Sequence, residues 1–155
     1  MNPLQQPMPL KILFADDDAD DRFFFDKALK EISIATHLTT FDDGEQLMNY
    51  LFENSENLPD MLFLDLSMHR KNGLECLIEI KQNDNLKDLL MIMFSTSYAR
   101  DSKYEQKMIK KLYKIGAQDF IRKPGDFEQL KQAIHNVLTR VIATKTLYEE
   151  ESYAL

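Results

Sequence analysis

The chain has 155 residues, 44% hydrophobic and 29% charged, enough for one domain with a sizeable core and a soluble surface. Its net charge of −7 argues against non-specific binding to nucleic acid or an anionic membrane, both of which want basic surface. A single cysteine, Cys76, excludes an internal disulfide, no apolar run reaches membrane-spanning length, and the start lacks a signal peptide's basic and apolar regions, so a cytoplasmic protein is expected.

Three prolines in residues 1–9 predict a short flexible tail. Lys11 to Ala15 reads as a buried strand. Asp20 is placed to cap a helix with Phe25, Ala28, Leu29 and Ile32 at i, i+3, i+4 and i+7. Within Phe23-Phe24-Phe25, Phe25 belongs to the core, and three aromatics exceed what one buried stripe needs. Ala35 to Phe41 reads as a second strand, Asp42-Asp43-Gly44 as a turn, and a helix carrying Leu47, Tyr50 and Leu51 follows. Met61 to Leu64 is apolar throughout, as a central strand covered on both faces should be.

Gly73 to Lys81 reads as a helix with Leu74, Leu77 and Ile78 on one side. Leu90 to Phe94 is a fourth strand. Lys103 to Ile115 is a helix with Ile109, Leu112 and Tyr113 inward, ended by Gly116. Its Lys107, Lys110, Lys111 and Lys114 form a basic stripe, read either as a solvated face or as a dock for an acidic surface. Asp119 to Arg122 is a fifth strand. Asp126 then caps a helix with Phe127, Leu130, Ile134, Val137, Leu138 and Val141 inward. Residues 144–155 are polar and acidic and read as a frayed tail, leaving 10–143 as the domain. Five such β-α units imply an α/β fold, a doubly wound parallel sheet with helices on both faces.

Four strands end in residues that chemistry would want. The first runs into Asp16-Asp17, the third into Asp65, the fourth into Ser95-Thr96 and the fifth into Lys123-Pro124. In a parallel sheet these ends share one edge, where ligands bind. Clustered carboxylates repel unless a cation joins them, and Mg2+ is the natural one, hard and oxygen-seeking. A carboxylate is a competent nucleophile toward phosphorus, while Lys123 and Ser95 supply charge and a hydroxyl for phosphoryl oxygens.

With these pieces in this order, the chain resembles the receiver domain of two-component response regulators, of the single-domain CheY-like type, over roughly Leu10 to Val141. The resemblance implies a flavodoxin-like five-stranded fold with strand order 2-1-3-4-5. It implies a signalling protein rather than an enzyme, whose own chemistry is limited to autophosphorylation from phosphodonors and autodephosphorylation. Asp65 would accept a phosphoryl group from a histidine kinase or a phosphotransfer protein. Asp17, Asp65 and the main-chain carbonyl of Ser67 would hold Mg2+, with Asp16 helping directly or through water. Ser95, Thr96, Lys123 and Phe120 would bind phosphate and carry the switch. A cis bond between Lys123 and Pro124 would aim the lysine inward. Output would go through contact with an unidentified protein target or through a phosphorelay.

Some residues depart from the family pattern. His69 stands where a proline is usual, and Ser67 and Ser97 occupy positions that tune phosphoryl lifetime. The stretch from Ser95 to Gly116 is a turn or two longer than usual, including residues 97–102, which leaves room for an unfamiliar homodimer. A degenerate receiver acting as a phosphorylation-independent adaptor is the alternative, weighed against by the complete Asp17, Asp65, Ser95 and Lys123 set. A haloacid-dehalogenase-type hydrolase would want an acid two residues after the nucleophile, where this chain has Ser67.

Overall fold

The computed structural model describes residues 8–96 and 102–154. Five strands, β1 (Leu10–Ala15), β2 (Thr36–Phe41), β3 (Met61–Leu64), β4 (Met91–Ser95) and β5 (Asp119–Arg122), form one parallel sheet in the order β2-β1-β3-β4-β5. The helices are α1 (Ala19–Glu31), α2 (Gly44–Glu53), α3 (Gly73–Gln82), α4 (Ser102–Ile115) and α5 (Phe127–Ala154). Most of the expected tail at 1–9 and most of the long segment at 97–102, with Ser97, lie outside the described residues.

Alternation along the central strands builds two apolar layers. Leu13, Ala15, Leu62, Leu64, Met91 and Met93 pack with α2, α3 and α4. Ile12, Phe14, Met61, Phe63, Ile92 and Phe94 pack with α1 and α5. At the heart of the second layer Phe25 stacks on Phe14 (ring centroids 4.2 Å apart) and meets Phe63 edge-on at 4.9 Å. Phe23 and Phe24, by contrast, are exposed. Cys76 is buried in the first layer, where burial pushes its thiol up to about 12, so it is an inert core residue.

Several local expectations are corrected. The cap of α1 is Asp18, not Asp20: its carboxylate accepts the Asp20 and Asp21 amides at 2.8 and 3.1 Å, which places Asp20 inside the first turn. Asp43 caps α2 in the same way. On α3 the buried set is Cys76, Leu77 and Ile80, while Leu74 and Ile78 are half-buried. The rotation of α3 follows from Gly73, where an added Cβ would lie 2.2 Å from the Asp65 carbonyl oxygen.

On α4, Leu112 is buried but Tyr113 is not. Its hydroxyl leaves the core to meet the Asp119 carboxylate and the Phe120 amide, both at 3.2 Å. Glu105 is buried instead, paired with Arg122. Gly116, with φ 131°, ends the helix in a conformation that favours glycine. Residues 144–154 continue α5 rather than fraying. After Gly125 the chain has no glycine or proline to break a helix, and Lys145 pairs with Asp60 below the sheet. Among the described residues no helix is long and apolar enough to cross a membrane.

Candidate functional site

The end of β1 and the end of β3 are adjacent because the two strands pair in register, Ala15 opposite Leu64. The Asp65 amide bonds to the Ala15 carbonyl at 3.0 Å, and the Asp16 amide to the Phe41 carbonyl at 3.1 Å. Asp16 and Asp65 are thus carried into the buried edge, and Asp17 remains partly open to water. One carboxylate oxygen from each of Asp16, Asp17 and Asp65 can be chosen so that all three lie within 4.8 Å of one another.

Lys123, directly after β5, answers this acidic group. Its ammonium donates to Asp16 Oδ2 at 2.7 Å and to Asp21 Oδ2 at 2.9 Å, and lies 3.5 Å from Asp65 Oδ1. Burial works against the charged amine, but the bonds from Asp16 and Asp21 and the charges of Asp65 and Asp16 outweigh it, so Lys123 is held above its ordinary value. The expected cis bond is not present: among the described residues every peptide is trans, Lys123–Pro124 included. The lysine stem reaches the carboxylates from the trans form, which is the one that X–Pro bonds favour by about 0.5–1 kcal/mol.

The carboxylates keep the imprint of their crowding. Burial and the neighbouring Asp16 charge push Asp65 up to about 6, against the pull of Lys123 and of the Ser67 amide. Asp16 is raised too, chiefly by burial, although Lys123 and the Asp18 amide (2.9 Å) bond to it. A three-carboxylate set with this residual repulsion suits a hard divalent cation such as Mg2+.

Ser95 ends β4 and is fully buried. Its carbonyl accepts the Lys123 amide at 2.8 Å, which ties the two residues together. Among the described residues its hydroxyl has no partner, an arrangement that costs a buried polar group about 1–3 kcal/mol. Thr96 beside it is exposed. Phe120 is half-buried and packs against the α2–α4 layer. Ser67 lies in an exposed loop that turns at Arg70 (φ 66°) before Asn72 caps α3 with Glu75 in a reciprocal pair.

Three further residues join the site. Asp21 sits in the first turn of α1 and shares the Lys123 ammonium. Arg22 donates to the Asp16 carbonyl at 2.7 Å and pairs with Asp42 at 3.5 Å, pinning the β1–α1 loop. His69 Nε2 approaches Asp17 Oδ2 at 3.4 Å while its ring stays exposed. The spacing of Asp21, three residues past the Asp18 cap, was the available signal for the first; Arg22 and His69 depend on loop geometry that spacing does not encode.

The family model for the response regulator receiver domain matches residues 12–135. Response regulator Rcp1 of Synechocystis sp. is 28% identical over 144 residues, covering 90% of this chain and 93% of that protein. Among solved structures, the phosphorylated cyanobacterial phytochrome response regulator RcpA superimposes with a TM-score of 0.76 at 27% identity, covering 88% of this chain and 96% of that one. The Mn2+-bound form of Rcp1 superimposes with a TM-score of 0.71 at 26% identity over 83% of this chain and 91% of that one. With this sheet order, this acidic edge and this match over most of its length, the chain belongs to the response regulator receiver domain family.

Proposed function

We propose that this receiver takes a phosphoryl group on Asp65 from a histidine kinase or a histidine phosphotransfer protein and passes the signal on by protein contact or phosphorelay. The observation that carries the reading is the convergence of Asp16, Asp17 and Asp65 around one buried ammonium, that of Lys123. A carboxylate oxygen of Asp65 attacks the phosphorus, the bond from phosphorus to the donor's imidazole nitrogen breaks, and the imidazole leaves with its electron pair. Lys123 is placed to meet a phosphoryl oxygen, and the Ser95 hydroxyl, without a partner among the described residues, to donate to another. Asp16, Asp17, Asp65 and the Ser67 carbonyl would hold Mg2+, which when bound neutralises charge on the entering group.

Phosphate on Asp65 would compete with the carboxylates for Lys123 and draw Ser95 toward it. Thr96, next in the chain, and Phe120, half-buried on β5, are the neighbours through which that movement would spread.

Acetyl phosphate with and without Mg2+, read by intact mass, tests the proposal, with Asp65→Asn alongside. The expected result is a Mg2+-dependent gain of one phosphoryl group by the wild type and none by the variant. Gain of phosphate by the variant would remove Asp65 from the role. Failure of the wild type to gain phosphate and to bind a beryllofluoride mimic would support an adaptor that works without phosphorylation.

A further inference from the structure

His69 brings an imidazole to the mouth of an edge otherwise made of oxygen donors and one ammonium. Its Nε2 lies 3.4 Å from Asp17 Oδ2. That is longer than the roughly 2.7–3.2 Å of an ordinary N–H···O bond, so a hydrogen bond does not account for the approach. Packing does not account for it either, because the side chain is 89% exposed. The separation does match that of two ligands on one ion. With metal–nitrogen and metal–oxygen bonds of about 2.1 Å, the two atoms stand about 2.9–3.4 Å apart. Among the described residues His69 is the one histidine that meets a carboxylate.

The backbone keeps His69 beside the edge. The Gly73 amide donates to the Leu66 carbonyl at 3.1 Å, and the Lys71 amide to the His69 carbonyl at 2.7 Å. Arg70 takes φ 66°, and its Nε lies 4.0 Å from the Asp43 carboxylate. The ring itself is free to turn about χ1 and χ2. His69 is not one of the three residues whose oxygens lie within 4.8 Å of one another. It meets that group through Asp17, the member that is open to water.

We infer that His69 is a further metal ligand of this edge, shared with Asp17, and that it widens the preference of the site for divalent transition ions such as Co2+, Ni2+ and Zn2+ over Mg2+. The inference rests on reading the acidic edge as a cation site. Mg2+ is satisfied by carboxylates and water and dehydrates reluctantly, so an imidazole adds little for it. Imidazole suits Ni2+ and Zn2+, and affinity for a nitrogen-containing site rises from Mn2+ through Co2+ to Ni2+. An edge of oxygen donors alone attracts all these ions through the same charge. One imidazole separates them.

The test is calorimetric titration of the full chain, stripped with chelator, with Mg2+, Co2+ and Ni2+ in turn. Wild-type protein is expected to bind one Co2+ or Ni2+ more tightly than Mg2+. His69→Ala should leave Mg2+ affinity within about twofold and weaken Co2+ roughly tenfold or more, the scale on which even an outer-shell partner acts, with Ni2+ weakened further. The visible absorption of bound Co2+ should change in the same variant, because a nitrogen ligand is replaced by water. Asp17→Asn should weaken all three ions, and the double variant His37→Gln, His135→Gln should leave all three within about twofold. Equal losses of Mg2+ and Co2+ in His69→Ala would mean that the histidine only shapes its loop, and would overturn the inference. So would Co2+ binding that needs His69 but survives Asp17→Asn, the mark of an isolated surface histidine. Mg2+ binding with Co2+ and Ni2+ indifferent to His69 would overturn this inference and leave the cation site standing. No binding of any of the three ions by wild type would overturn both.

Discussion

Like charges crowd together in two places in this molecule, with different consequences. At the acidic edge Asp16 and Asp65 are buried side by side and share one ammonium, that of Lys123. On α4 five lysines stand in water, none paired with a carboxylate among the described residues. Burial makes the first crowding expensive: two charges about 4 Å apart interact by roughly 4 kcal/mol near a protein surface and by about 1 kcal/mol in water. The edge therefore changes its own protonation, with Asp65 pushed up to about 6. The helix can keep every charge and leave screening to salt. The edge suits a compensating cation inside the protein, and the helix keeps its charge in water.

Removing the one ammonium should have the largest effect. Lys123 is almost wholly buried, and without it Asp16 and Asp65 face each other unpaired. Its amine is held above the ordinary value, so its stabilising contribution is fully present at neutral pH and is lost only as pH rises through that raised value. Lys123→Met should cost about 3 kcal/mol in urea unfolding at pH 7.5 with chelator present. The loss should shrink at pH 5, where the carboxylates take up protons. A loss that is the same at both pH values would mean that packing of the lysine stem, not the carboxylate pair, was removed.

Asp65 gives a smaller effect of the opposite sign. Its folded value of about 6 lies above the ordinary 3.8, so the folded protein holds this proton more tightly than the unfolded chain does. Its contribution to stability is therefore full below about pH 4 and is lost as pH rises through 6. In chelator, Asp65→Asn should exceed the wild type by on the order of 2 kcal/mol above pH 7, and the gap should close toward pH 4. Mg2+ should narrow the gap at high pH, because a cation that binds the folded wild type stabilises it. A gap independent of pH between 4 and 7 would contradict the crowding described here.

The same contrast explains what could be read in advance. Strands β1, β3 and β4 were legible because central parallel strands are apolar on both faces, and Asp16, Asp17, Asp65, Ser95 and Lys123 because a strand end fixes their edge. Where tertiary contacts decide, periodicity misled. The face of α3 follows from the fit of Gly73 against the Asp65 carbonyl, a contact between distant residues. Tyr113, expected inward, turns out because its hydroxyl found Asp119, and Glu105 is buried because its carboxylate found Arg122, each on β5. The order of α5 beyond residue 143 draws on Lys145 meeting Asp60, which no local pattern announces.

The smallest predicted effect concerns the contact that joins the two regions. Arg122 lies opposite Ser95 in the β4–β5 register and immediately precedes Lys123, while its guanidinium pairs with buried Glu105 on α4. Arg122→Met leaves that carboxylate without a partner and should cost about 1–2 kcal/mol. Glu105→Gln leaves only a half-exposed arginine and should cost less. In a double-variant cycle the coupling should come to about 1 kcal/mol, held down because solvent screens the exposed guanidinium. If the two costs simply add, α4 is anchored by Leu112 and its apolar neighbours alone. A coupling of the expected size makes Arg122 a load shared between the strand that carries Lys123 and the helix that carries the five lysines. A displacement of β5 at the acidic edge would then be felt in α4 through this ion pair as well as through the apolar layer beneath it.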